Sequence, residues 1–118
     1  MASPLKVVLT DLTRVEGVSG VALVSKDGFV IDYVMPTGGI DLDALAAMVT
    51  TLYGAATRLG EELKLGDIED FMIEYRNNYV LLDDVGEALV VLLAERRAIL
   101  GRLRYELKRQ RDRIKAAL

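Results

Sequence analysis

From Ala44 to Thr57 the chain runs fourteen residues without a charge, yet its apolar positions keep a helical period. Leu42, Leu45, Val49, Leu52, Ala56, Leu59 and Leu63 step by alternating threes and fours, which predicts one apolar face on a long helix. Asp41 is placed to cap its start, with Asp43 adding negative charge to the first turn. The neighbouring flank is built from small residues: Ala46, Ala47, Thr50, Gly54 and Thr57. A helix that covers a sheet on one side normally shows charges on the other. This one does not, so it is expected to be buried on two sides, and its own domain supplies only one of them.

The segments around it read as short strands and two further helices. Ser3-Pro4 is a helix start, a capping hydroxyl followed by a ring whose missing N–H costs nothing there. Leu5, Val8, Leu9, Leu12 and Val15 then form one stripe, and the helix is expected to stop near Gly17. Residues 20–25 are almost continuously apolar, as in a strand buried on both faces. Lys26-Asp27-Gly28 turns the chain into a second strand over 29–34, and 35–39 is a loop. After Gly66 the period falls to two. Phe71, Ile73 and Tyr75 alternate with Asp70, Met72 and Glu74, predicting a half-exposed edge strand over 68–75. A turn at Asn77-Asn78 leads to a strand over 79–82, another turn leads to a wholly apolar strand over 88–93, and 99–118 is a final helix. The order is α-ββ-α-βββ-α in one domain spanning 1–118. This is an α/β (α+β) arrangement on a five-stranded antiparallel sheet, with strands 20–25 and 88–93 at its centre.

Composition narrows the chemistry. The 118 residues are 52% hydrophobic and 28% charged, which suits a globular fold rather than a disordered chain. No apolar run approaches the roughly 20 residues of a membrane-spanning helix. Met1-Ala2-Ser3-Pro4 lacks the basic start and apolar core of a signal peptide, so a cytoplasmic protein is expected. With no Cys and no His, thiolate nucleophiles, imidazole acid–base chemistry and the usual zinc sites are excluded. No catalytic residue and no cofactor is expected. Asp83-Asp84 and Asp41/Asp43 are carboxylate pairs of a kind that can hold a divalent cation. A turn and a helix start account for them better, so no metal is expected. Gly17-x-x-Gly20 and Gly38-Gly39 match neither a P-loop nor a dinucleotide fingerprint.

Charge is distributed unevenly. Residues 1–95 hold 6 Lys/Arg against 16 Asp/Glu, while residues 96–118 hold 9 against 2. The basic tail (Arg96, Arg97, Arg102, Arg104, Lys108, Arg109, Arg111, Arg113, Lys115) is of a kind that can bind nucleic acid or an anionic membrane. Cations near a helix C-terminus also suit its dipole, and the acidic body offers them partners. The paired or solvated reading is favoured, and the surface binder stays open as the alternative.

Local sequence also carries a resemblance. Val15-Glu16-Gly17-Val18-Ser19-Gly20-Val21-Ala22-Leu23-Val24, then Asp27-Gly28-Phe29-Val30-Ile31, resembles the roadblock / dynein light chain family, whose pattern is a helix ending in Gly, a strand, an Asp-Gly turn and a strand. The final helix, through Leu100-Gly101-Arg102-Leu103-Arg104-Tyr105-Glu106-Leu107, is similar too. The resemblance covers essentially the whole chain. It implies the long middle helix on one face of the sheet and the terminal helices on the other. It also implies a homodimer that pairs the strands after the middle helices and packs those helices together. Members regulate or scaffold small Ras-like GTPases, or are dynein subunits. Members in bacterial gliding and polarity systems often carry more chain after the last helix, so the resemblance implies GTPase binding and leaves activation open. The residues expected at the dimer seam are Ala47, Thr50, Gly54, Thr57, Phe71, Ile73 and Tyr75. The expected partner contacts are Thr51, Ala55, Arg58 and Glu62.

Overall fold

The computed structural model describes residues 3–36 and 38–118; Met1, Ala2 and Thr37, part of the N-terminal and loop readings above, lie outside the described residues. Eight elements follow the expected order: α1 (Pro4–Thr13), β1 (Val18–Ser25), β2 (Val30–Val34), α2 (Leu42–Glu62), β3 (Phe71–Glu74), β4 (Asn78–Asp84), β5 (Ala88–Glu95) and α3 (Leu100–Ala117). Both predicted caps are made. The Ser3 hydroxyl accepts from the Lys6 N–H at 3.1 Å, and the Asp41 carboxylate accepts from the Ala44 N–H at 3.1 Å. Each satisfies a donor the first helical turn leaves unpaired.

The sheet is antiparallel throughout, in the order β2-β1-β5-β4-β3. Its central strands β1 and β5 pair along nearly their whole length, and Val21–Val24 and Ala88–Leu92 are buried. That is why their sequences are continuously apolar: helices cover them on both sides. The short strands β2 and β3 are left at the edges.

The two sides of the sheet are unequal. On one, Val8, Leu9 and Leu12 of α1 and Leu103, Leu107 and Ile114 of α3 close a core of seventeen buried residues. On the other, α2 contributes only Ala46, Val49 and Tyr53 to a core of eight. The α2 side is thinner, and the helix there has apolar surface to spare.

Three expectations need correction. Helix α1 ends at Thr13, and the chain reaches Gly17 through turns closed by Val15 N–H to Leu12 C=O and Val18 N–H to Val15 C=O. Gly17 sits at φ +91°, and a Cβ there would lie 2.5 Å from that of Ala98, so the glycine belongs to a loop–loop contact rather than to the helix end. Strand β3 is four residues long, not the expected span over 68–75. Finally, the apolar stripe of α2 is not one core face. Ala46, Val49, Tyr53 and Gly60 are buried, whereas Leu52 is 42% exposed and Leu59 and Leu63 are each 59% exposed. A seven-residue repeat drifts about 20° per heptad on a straight helix, which carries Leu45, Leu52 and Leu59 progressively off the sheet.

Candidate interaction surface

Helix α2 separates two grooves that face opposite ends of the sheet. The first, about 320 Å³, lies at the end holding Met35, Tyr75 and Leu93, with Leu45, Met48 and Leu52 on its helix wall. Its lining is apolar, including Ile40, Ile73 and Val80. Met48 is 63% exposed at its rim. Leu59 and Leu63 continue the same flank toward the helix C-terminus. The second groove, about 610 Å³, lies at the end with the β1–β2 and β4–β5 turns, where Lys26 and Asp84 form an ion pair at 2.9 Å. Thr50, Gly54, Thr57 and Arg58 supply its helix wall.

The small flank is internally satisfied. The Thr50 hydroxyl donates to the Ala46 carbonyl at 2.9 Å, and that of Thr57 to the Tyr53 carbonyl at 2.9 Å. A Cβ on Gly54 would meet nothing within 4 Å. Tyr53 forms the floor beside Leu89 and packs against Phe71, ring centroids 5.8 Å apart. Burial first, then Asp84 and Asp83, push its phenol above the ordinary value, so it stays protonated.

The residues expected at a dimer seam are therefore divided. Ala47, Gly54 and Thr57 are exposed and Thr50 half-buried, and the last three line the turn-end groove. Ile73 and Tyr75 line the opposite, apolar groove, and Phe71 packs under α2. The strand half of the expected seam thus meets Met48 and Leu52 rather than Gly54. The signal was available in the sequence, since Met48 is a large apolar residue off the core face. Thr51, Ala55, Arg58 and Glu62, the expected partner contacts, are all exposed, and the first three line the turn-end groove together with Thr50, Gly54 and Thr57.

Strand β3 has a regular register with β4 and an open outer edge. Tyr75 N–H donates to Asn78 C=O, so by the alternation of an antiparallel ladder the backbone groups of Met72 and Glu74 point outward. Among the described residues no hydrogen bond from another element reaches them.

The basic tail is largely paired within the chain. Arg111 makes a bidentate contact with the buried Asp83 at 2.6 and 2.9 Å. That bond holds the guanidinium above its ordinary value. Arg113 meets Asp11 at 3.1 Å, Lys108 meets Asp70 at 3.2 Å, Arg109 meets Glu106 at 2.8 Å, and Arg96 meets Glu74. Three of the four carboxylates in the two pairs have partners. Asp83 holds Arg111, Asp84 holds Lys26 and the Gly86 N–H, and Asp41 caps α2.

No helix among the described residues is long and apolar enough to cross a membrane. The family model for the Roadblock/LC7 domain matches residues 5–94. Two proteins of Methanocaldococcus jannaschii, MJ0310 and MJ0714, are 38% and 39% identical over 109 residues, covering 92% of this chain and 95% and 92% of theirs. Among solved structures, Myxococcus xanthus MglB superposes with a TM-score of 0.90 over 96% of this chain and 86% of that one, at 23% identity. The gliding protein MglB of Thermus thermophilus superposes with a TM-score of 0.84, also at 23% identity, over 99% and 92%. The two superpositions establish a shared fold, and the family match with the archaeal relatives establishes kinship: the chain belongs to the roadblock/LC7 domain family.

Proposed function

We propose that this chain is a homodimeric, cytoplasmic interaction module that binds a small Ras-like GTPase and regulates or scaffolds it. The observation that carries the reading is the exposed apolar flank of α2 beside the open β3 edge, in a chain of the roadblock/LC7 family. Exposed apolar surface next to an unpaired strand is a liability unless a partner covers it. A second copy does so with one two-fold operation, pairing β3 with β3 and setting Met48, Leu52 and Leu59 against their mates. The exposed Thr51, Ala55, Arg58 and Glu62 of α2 then stay free beside the seam. In this reading the chain contributes surfaces and no catalytic group. The family resemblance supplies the GTPase. A monomeric GTPase on the two-fold axis meets the two copies unequally, so one GTPase is expected per dimer.

Titration calorimetry against Ras-like GTPases from the same genome, loaded with GTP analogue or GDP, tests this. Binding at one GTPase per two chains, weakened by Arg58→Glu, is the expected outcome. No binding to any of them in either state removes the GTPase from the account and leaves a dimeric scaffold. The alternative, a nucleic-acid or anionic-membrane binder, gains no support from α3, whose cations are mostly engaged with carboxylates.

A further inference from the structure

The sheet has two edges, and they are finished differently. At β3 two consecutive outward rungs, Met72 and Glu74, have no partner among the described residues, in a regular register. At β2 the register with β1 breaks between Leu23 and Val24, so Val24 faces Val30, Leu23 faces Asp32, and Ile31 falls out of the ladder. A bulge of this kind twists an edge away from flat pairing. Tyr33 is left as the regular rung that an incoming strand would need, and both of its backbone groups are already taken. Its N–H donates to the Asp32 carboxylate at 2.8 Å, and its C=O accepts from the Lys6 ammonium at 2.9 Å. Lys6 and Asp32 close the arrangement with an ion pair at 2.6 Å, and the Lys6 ammonium also lies 5.5 Å from the centre of the Tyr33 ring.

The clasp reaches across the fold. Lys6 projects from α1, which Val8, Leu9 and Leu12 anchor in the larger core, and α1 begins at the Ser3 cap one turn before it. The ammonium is therefore delivered to the β2 edge by an element that cannot easily leave. Asp32 is held at 20% side-chain exposure in a strand where its neighbours are apolar, an inward-leaning charge of the sort that discourages edge pairing.

We propose that the Lys6–Asp32–Tyr33 clasp is an assembly stop: it closes the β2 edge so that strand pairing between copies ends at two chains. The proposal rests on the β3-paired dimer. With two usable edges per chain, alternating β3–β3 and β2–β2 pairings would extend the sheet into an open ribbon. One closed edge confines it to a point-group dimer. Aggregation through strand edges is the hazard the clasp removes.

Multi-angle light scattering across a concentration series, with circular dichroism to establish folding, reads the effect in the full chain. Lys6→Ala should give a mass at least twice that of the wild type, rising with concentration, whereas Lys6→Arg should keep the wild-type mass. Asp32→Ala frees the Tyr33 N–H from the other side and should also raise the mass, which covers the case in which Lys6→Ala does not fold. Adding Met72→Pro, which removes a β3 donor, to Lys6→Ala should stop growth at two chains. A folded Lys6→Ala or Asp32→Ala that holds the wild-type mass at every concentration overturns the clasp. A monomeric wild type sinks the β3 dimer instead, and in that case Lys6→Ala pairing into two-chain species still supports the clasp.

Discussion

The two flanks of α2 differ in what their residues can do without a partner. The flank of Thr50, Gly54 and Thr57 is complete: its hydroxyls bond to the helix's own carbonyls, and its groove is bounded by the Lys26–Asp84 pair. The flank of Met48, Leu52, Leu59 and Leu63 is incomplete, with large side chains exposed above an apolar groove shared with Ile73 and Tyr75. Smallness permits close approach, but exposed bulk is what association stabilises, at about 25 cal/mol per Å² removed from water. Missing burial, rather than short side chains, therefore marks the flank of α2 that gains more from a partner.

The largest effect should come from charging the incomplete flank. Leu52→Arg is expected to weaken the dimer by about 4 kcal/mol, because a hot-spot change counts twice across a two-fold axis. Analytical ultracentrifugation should then report the 13.0 kDa single chain, against twice that mass for the wild type under the proposed dimer. An unchanged dimer would place the seam away from Leu52. Next, Tyr53→Ala, on the stripe between the flanks, should lower folding stability by about 3 kcal/mol in urea denaturation. Its effect on dimer affinity, measured at denaturant-free equilibrium, should be much smaller than that of Leu52→Arg. The smallest effect belongs to the complete flank. Gly54→Ala should raise the unfolding midpoint, stabilising the helix by up to about 1 kcal/mol, since its Cβ meets no atom within 4 Å. A loss of stability or of dimer there would show that Gly54 faces a close neighbour in the assembly.

Much of the fold was legible because its signals are local. Ser3 and Asp41 announce helix starts through side chains that reach only three residues ahead. Val21–Val24 and Ala88–Leu92 announce central strands because burial on both faces leaves no polar alternation. The alternation over 70–75 correctly gave β3 its edge position. What was not legible depends on rotation or distance. The face of α2 against the sheet, carrying Ala46, Val49 and Tyr53, is offset from the most apolar stripe, while Gly60 is buried by the loop after the helix, where the Gly66 carbonyl lies against it. The pairing of Arg111 with Asp83 and of Lys6 with Asp32 joins positions 28 and 26 residues apart, and only the fold makes them neighbours. Composition alone therefore favoured a paired or solvated tail, and the fold adds which carboxylates of the acidic body pair with it.

The claim that the dimer seam runs along the incomplete flank can be measured directly, because the chain contains no cysteine of its own. Leu52→Cys and Gly54→Cys each introduce one thiol, two residues apart in sequence and on opposite flanks of α2. Treatment with a short bis-maleimide, followed by denaturing electrophoresis, reads which flank faces its mate. Leu52→Cys is expected to cross-link rapidly to a two-chain band, with Gly54→Cys remaining a single chain. Cross-linking of Gly54→Cys with none for Leu52→Cys would contradict that claim.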